Sequence, residues 1–172
     1  RTECECTLCD ADKFQTVVKM AENQENNRQK DEKYMRLALN EAHKALKEGE
    51  VPIGAVVVSG ERIVGRGHNL VESLCDATAH AEMQAITAAS STLGGKYLND
   101  CTLYVTVEPC VMCAGALAWS QIGRIVYGAA DPKRGYTTVG GPILHPKTQV
   151  AGGVLAGECE EIVSSFFAGL RS

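Results

Sequence analysis

The sequence predicts an α/β chain folded as a three-layer α/β/α sandwich around one central sheet. Three observations predict it. Segments with apolar residues three and four apart alternate with short β-branched runs, in the order helix, two strands, helix, strand, helix, strand, loop, helix. The 172 residues, 45% hydrophobic and 22% charged, are enough for one domain with a core and too few for two. No run reaches the roughly 18 apolar residues of a membrane span, so every apolar segment is available to that core.

Residues 1–30 carry five basic and six acidic side chains and show no apolar face from Glu22 to Lys30. They are expected to form a polar, flexible N-terminal arm, with the folded domain over residues 31–172. From Asp31 onward, Met35, Ala38, Leu39, Ala42, Ala45 and Leu46 lay one stripe along a helix that ends near Gly49. Residues 53–58 read as a strand, Ser59, Gly60 and Glu61 as a turn, and residues 62–68 as the returning strand of a hairpin. Helical spacing returns with Met83, Ala85, Ile86 and Ala89 and stops at Gly94 and Gly95, a glycine cap. Residues 101–107 alternate and are rich in β-branched side chains, a buried strand, and Pro109 stands where the next helix begins. Residues 124–127 give another strand. Ile162, Val163, Phe166 and Phe167 place a last helix over 158–170.

Lys and Arg total 17 against 21 Asp and Glu, a formal charge of -4, which argues against coating long duplex nucleic acid by charge alone. The first thirty residues lack the apolar block of a secretory signal, so the expected compartment is the cytoplasm. The eight cysteines are unevenly placed: Cys4, Cys6 and Cys9 near the start, Cys75, Cys101 and Cys159 alone, Cys110 and Cys113 as a pair. That is no secreted disulfide framework, and a Cys-x-x-Cys pair in such a chain reads as metal or redox chemistry. Cys4, Cys6 and Cys9 have no histidine or fourth cysteine nearby and are expected to be incidental and prone to oxidation. Cys75, Cys101 and Cys159 are expected as buried small apolar residues. His43 and His145 are expected on the surface, and His68 at a pocket mouth.

The strongest chemical signal is His80 with Glu82 at the start of one helix, and Cys110 with Cys113 at the start of another. Either half alone has an ordinary structural reading. Together they offer three ligands and no obvious fourth, which leaves a coordination position for water and points to catalysis by one Zn²⁺ per chain. Two thiolates and a neutral imidazole suit that ion, which lowers the pKa of bound water from about 15.7 toward 7. Glu82 then serves as proton carrier between that water and a ring nitrogen. An ideal helix turns His80 and Glu82 apart, so both belong in its first turn. A non-catalytic zinc-stabilised binding domain is the alternative, and the extra carboxylate speaks against it.

These residues resemble a known signature, that of the zinc-dependent cytidine deaminase superfamily. The likeness extends through Thr78, Ala79, His80, Ala81, Glu82 and Met83, through residues 101–116 with Glu108 and Pro109, and through residues 128–133 with Asp131 and Pro132. Over these segments, residues 51–55 and residues 153–159 with Phe166 and Phe167, the chain resembles the bacterial tRNA-specific adenosine deaminases of the TadA type. The resemblance covers about residues 33–170. It implies a cytidine deaminase-like mixed sheet, zinc on His80, Cys110 and Cys113, proton transfer by Glu82, and conversion of a wobble adenosine to inosine in a tRNA anticodon loop. It also implies a homodimer. Asn69 would hydrogen-bond the target base, and the backbone N–H of Ala81 would face its edge. Asp131 matches a position beside the substrate sugar and equally suits a turn before Pro132. Lys133 and Arg134 would meet phosphate.

Two departures bear on the substrate. After Lys133 the chain runs Arg134, Gly135, Tyr136, Thr137, Thr138, Val139, Gly140, Gly141, where most members carry a Gly-Ala-rich stretch and a longer loop. It ends without the arginine cluster of many relatives, so it is expected either to bind RNA weakly or to use Lys133, Arg134 and Lys147 instead. A free nucleobase or nucleoside such as guanine, cytosine or adenine is therefore the alternative substrate for the same zinc chemistry.

Overall fold

The computed structural model describes residues 8–171. Its first helix, α1 (Leu8–Lys47), is followed by the hairpin strands β1 (Gly54–Ser59) and β2 (Arg62–His68). A single-turn helix α2 (Val71–Leu74) leads to α3 (Ala81–Leu93), β3 (Cys101–Val107), α4 (Val111–Trp119) and β4 (Arg124–Ala129). A 3-10 turn at Tyr136–Thr138, a short strand β5 (Gln149–Ala151) and α5 (Ala156–Gly169) complete the order.

The sheet order is β2-β1-β3-β4-β5. β1 pairs antiparallel with β2 and β3, whereas β3, β4 and β5 run parallel, so the sheet is mixed. Alternation within each strand divides the core in two. Ala55, Val57, Leu103, Val105 and Ile125 face α3 and α4 and pack with Ala85, Ala89 and Leu117. Val56, Val58, Tyr104 and Val126 face the other way, against Tyr34, Met35, Ala38 and Leu39 of α1 and Cys159 of α5. This is the expected three-layer arrangement. The helices approach closely because the strands carry glycine at the crossings: a Cβ on Gly54 would collide with the Ala38 carbonyl and the Ala42 amide of α1.

The first helix begins at Leu8, far ahead of the stripe that starts at Asp31. Residues 8–47 contain no glycine or proline, and the polar part carries i,i+4 pairs, Arg28 with Glu32 at 3.1 Å and Gln29 with Glu25 at 3.1 Å. An apolar stripe reports docking rather than helicity, which is why the sequence pattern marks only the second half. Side chains described between residues 15 and 30 are all exposed, and Asp31 is the first buried one. Asp31 receives both guanidinium nitrogens of Arg124 at 2.7 Å and the Tyr104 hydroxyl at 3.0 Å, fastening α1 to β4 and β3. Cys4 and Cys6 lie outside the described residues, as does the Cys9 side chain.

β2 and β3 match their expected bounds, and Gly94 caps α3 in the left-handed conformation at φ 66°. Cys101 and Cys159 are buried as expected, but Cys75 is exposed. It ends α2 in the left-handed region at φ 50°, outside both core clusters. No helix among the described residues is long and apolar enough to cross a membrane.

Candidate metal centre and active site

β3 delivers the chain through Glu108 and Pro109 to Cys110, whose extended backbone makes it the N-cap of α4. His80, extended in the same way, is the N-cap of α3. Two helix starts thus meet at the C-terminal end of the central strand. The His80 Nδ1 atom lies 3.7 Å from Cys110 Sγ and 3.6 Å from Cys113 Sγ, and the three ligand atoms lie within 4.8 Å of one another. One imidazole nitrogen and two sulfurs form the donor set expected of a zinc site, and no fourth protein ligand joins them among the described residues. The residues fit one Zn²⁺.

Glu82 occupies the first turn of α3 beside this cluster and is 4% exposed. Burial pushes its carboxyl up to about 7. The Cys110 thiol is pulled down to about 4, first by the hydrogen bond from Cys113 and, against burial, by His80. Cys113, which donates to Cys110 and is itself buried, is pushed up. His80 is raised, chiefly by its bond with Cys110. These groups share protons, and a divalent cation bound by both sulfurs displaces the proton between them.

The structure brings most of the expected substrate residues to the same rim. Asn69, 6% exposed, follows β2, and the next amide, Leu70 N–H, bonds the Ala79 carbonyl beside His80 at 2.9 Å. Ala81 is in the first turn of α3, where N–H groups have no intrahelical acceptor. Asp131 opens a turn, its Oδ1 accepting from the amides of Lys133 and Arg134 at 3.0 Å each. The Lys133 and Arg134 side chains are exposed. Lys147 is elsewhere: with Asn99, Asp100 and His145 it lines a cleft at the opposite, N-terminal end of β3. His68 turns toward α1, with Nε2 3.2 Å from Glu48 and Nδ1 3.7 Å from Glu41.

Sequence reasoning missed the buried carboxylate that holds the rim together. Glu108, 4% exposed, accepts from the Asp131 amide at 3.0 Å and from the Thr137 amide and hydroxyl at 3.1 and 2.6 Å. A bridge between Cys110 and Gly135, and the Tyr136 amide bonding the Pro109 carbonyl at 2.9 Å, pin the same loop to the metal-site strand. A Cβ at Gly135 would strike the Glu108 carboxyl, so only glycine admits this approach. A lone Glu beside Pro109 carries no sequence mark of this role.

Residues 28–129 match the cytidine and deoxycytidylate deaminase zinc-binding region, a span that contains His80, Glu82, Cys110 and Cys113. The chain belongs to this deaminase family. The deaminase is 46% identical over 146 residues to the tRNA-specific adenosine deaminase of Bacillus subtilis strain 168, covering 82% of this chain and 91% of that one. A solved structure from a study of tRNA:A34 deaminases, which edit A to I at the wobble position of transfer RNA, shares 43% identity at a TM-score of 0.71. That match covers 75% of the deaminase and 97% of the solved chain. The solved guanine deaminase of Bacillus subtilis is 39% identical, with a TM-score of 0.55, over 58% of this chain and 64% of its own.

Proposed function

We propose that this deaminase hydrolyses the exocyclic amine of the wobble adenosine in a tRNA anticodon loop, yielding inosine and ammonia. The observation that carries the reading is a buried carboxylate, Glu82, beside two thiols and an imidazole that together fit one zinc ion. His80, Cys110 and Cys113 would hold the ion, which when bound supplies a hydroxide nucleophile at neutral pH. Glu82, with no place in the ligand set, carries one proton to the ring nitrogen N1 and another to the departing amine. The exocyclic C–N bond breaks as a C–O bond forms, and no redox partner is required. Asn69 and the Ala81 N–H fix the base, while Asp131, Lys133 and Arg134 on the clamped loop meet its flanking sugar and phosphates. An unpaired loop base enters such a pocket without the cost of opening a duplex.

The substrate assignment is supported by tRNA-acting relatives that match the deaminase over more of both chains than the guanine deaminase does. The guanine deaminase likeness is the observation behind the second reading, a free base or nucleoside as substrate. Parallel assays on an anticodon stem-loop with adenosine at the wobble position and on free adenine, guanine, cytosine and their nucleosides decide between them. Fast conversion of a free base with none of the stem-loop at low salt sinks the tRNA reading and leaves the zinc chemistry standing.

The packed domain of this reading spans residues 31–172, preceded by the polar arm, and the enzyme works in the cytoplasm as a homodimer. The support for a dimer is an apolar face on α4, where Val111, Met112 and Trp119 are exposed, Trp119 by 86%.

A further inference from the structure

Glu50 is a carboxylate with 0% exposure that forms no ion pair among the described residues. It follows Gly49, whose left-handed backbone at φ 78° turns the chain out of α1 and back toward the sheet. Both of its oxygens are engaged by N–H donors. Oε1 accepts from the Ser73 amide at 2.7 Å, and Oε2 from the Glu72 amide and Asn69 Nδ2, each at 3.2 Å. Burial pushes its carboxyl up, yet the bonds from Ser73, Glu72 and Val71 together outweigh burial and leave it below its ordinary value.

A carboxylate only accepts, so the NH₂ end of the Asn69 amide must face Glu50. The free half of Asn69 is then set by chemistry: the Oδ1 acceptor and the second Nδ2 proton remain for whatever enters the pocket. We infer that Glu50 is a positioning residue that fixes which hydrogen-bonding face Asn69 presents to the substrate base. The inference rests on the reading of Asn69 as a base-binding residue. A neutral side chain cannot do the same work. A glutamine at this place has a single acceptor oxygen for the Ser73, Glu72 and Asn69 donors. Where its NH₂ group faces Asn69, the Glu72 amide loses its acceptor and the conflict with Asn69 is relieved when the Asn69 amide turns over and accepts from the new amide. The pattern offered to the base is thereby inverted. The same carboxylate holds α2 through Glu72 and Ser73, and the neighbouring Leu70 amide bonds Ala79, so Asn69 is held in register with the segment entering α3.

The test is a cycle of the zinc-loaded full chain, Glu50→Gln, Asn69→Ala and the double variant, with kcat and KM measured on the anticodon stem-loop alongside zinc content and Tm. Glu50→Gln should raise KM at least tenfold with one zinc retained, and should add less than twofold in the Asn69→Ala background. Parental kinetics for Asn69→Ala overturn the reading of Asn69 and the inference with it. Loss in Asn69→Ala with parental kinetics for Glu50→Gln, or effects that multiply in the double variant, overturn the inference alone. If Glu50→Gln fails to fold, side-chain amide exchange in the parent labelled with ¹⁵N-asparagine decides. One slowly exchanging Asn69 Nδ2 proton supports the inference, and two rapidly exchanging ones overturn it.

Discussion

Glu108 and Thr137, 29 residues apart, are joined through a single oxygen: Oε1 accepts both the Thr137 amide at 3.1 Å and its hydroxyl at 2.6 Å. The other oxygen holds the Asp131 amide, so one buried side chain spans the loop that carries Lys133 and Arg134. Thr137→Val removes one bond to a charged group and should cost about 1.5 kcal/mol. The loosened loop should be cut by trypsin after Lys133 or Arg134 several times faster than in the parent. Equal digestion rates would show that the bond does not hold the loop.

Glu82→Ala and Cys110→Ala separate proton transfer from metal binding. Glu82→Ala should keep one zinc and its fold while kcat falls by at least about 10²-fold, the minimum for a general acid-base group. Cys110→Ala should lose both zinc and activity. Elemental analysis and single-turnover rates check the pair, and turnover of Glu82→Ala within about tenfold of the parent removes Glu82 from the mechanism.

Neutralising Lys133 and Arg134 together should weaken stem-loop binding and flatten its salt dependence. If each meets one phosphate of an unpaired strand, the slope of log K against log salt should shrink by about 1.4. Fluorescence anisotropy at several salt concentrations measures it. An unchanged slope places the phosphate contacts elsewhere on the surface.

Trp119→Glu puts a charge on the exposed apolar face of α4. Sedimentation equilibrium should show a dimeric parent and a monomeric variant. Retention of the dimer by the variant means that another face makes the interface.

Gly54→Ala tests how closely α1 lies on the hairpin. The added methyl meets the backbone of Ala38 and Ala42, which cannot move aside without lifting the helix. A loss of about 2 kcal/mol is expected, within the range for overpacking, and urea unfolding reads it.

Much of this molecule is legible in the sequence where pattern and physics coincide. The alternation in residues 101–107 gives β3 its bounds, and the glycines at 94 and 95 mark the end of α3. The His80, Glu82, Cys110 and Cys113 cluster is legible because its chemistry needs those residue types at helix starts. α2 and β5 are not, being four and three residues long and too short to show a period. Glu50 and Glu108 are hidden for another reason: a lone carboxylate reads as solvated, and only the tertiary fold surrounds it with N–H donors.

The spacing of the three ligand side chains has a thermodynamic side. His80 and Cys110 are thirty residues apart, and the segment between them includes α3 and β3. An ion held by both is a cross-link that closes this loop in the folded chain and has no preformed counterpart in the unfolded one. Unfolding free energy should then climb by about 1.4 kcal/mol for each tenfold rise in free zinc above its dissociation constant. The melting temperature of this enzyme becomes a logarithmic gauge of the zinc around it, and a chelator lowers the stability of the fold as well as stopping turnover.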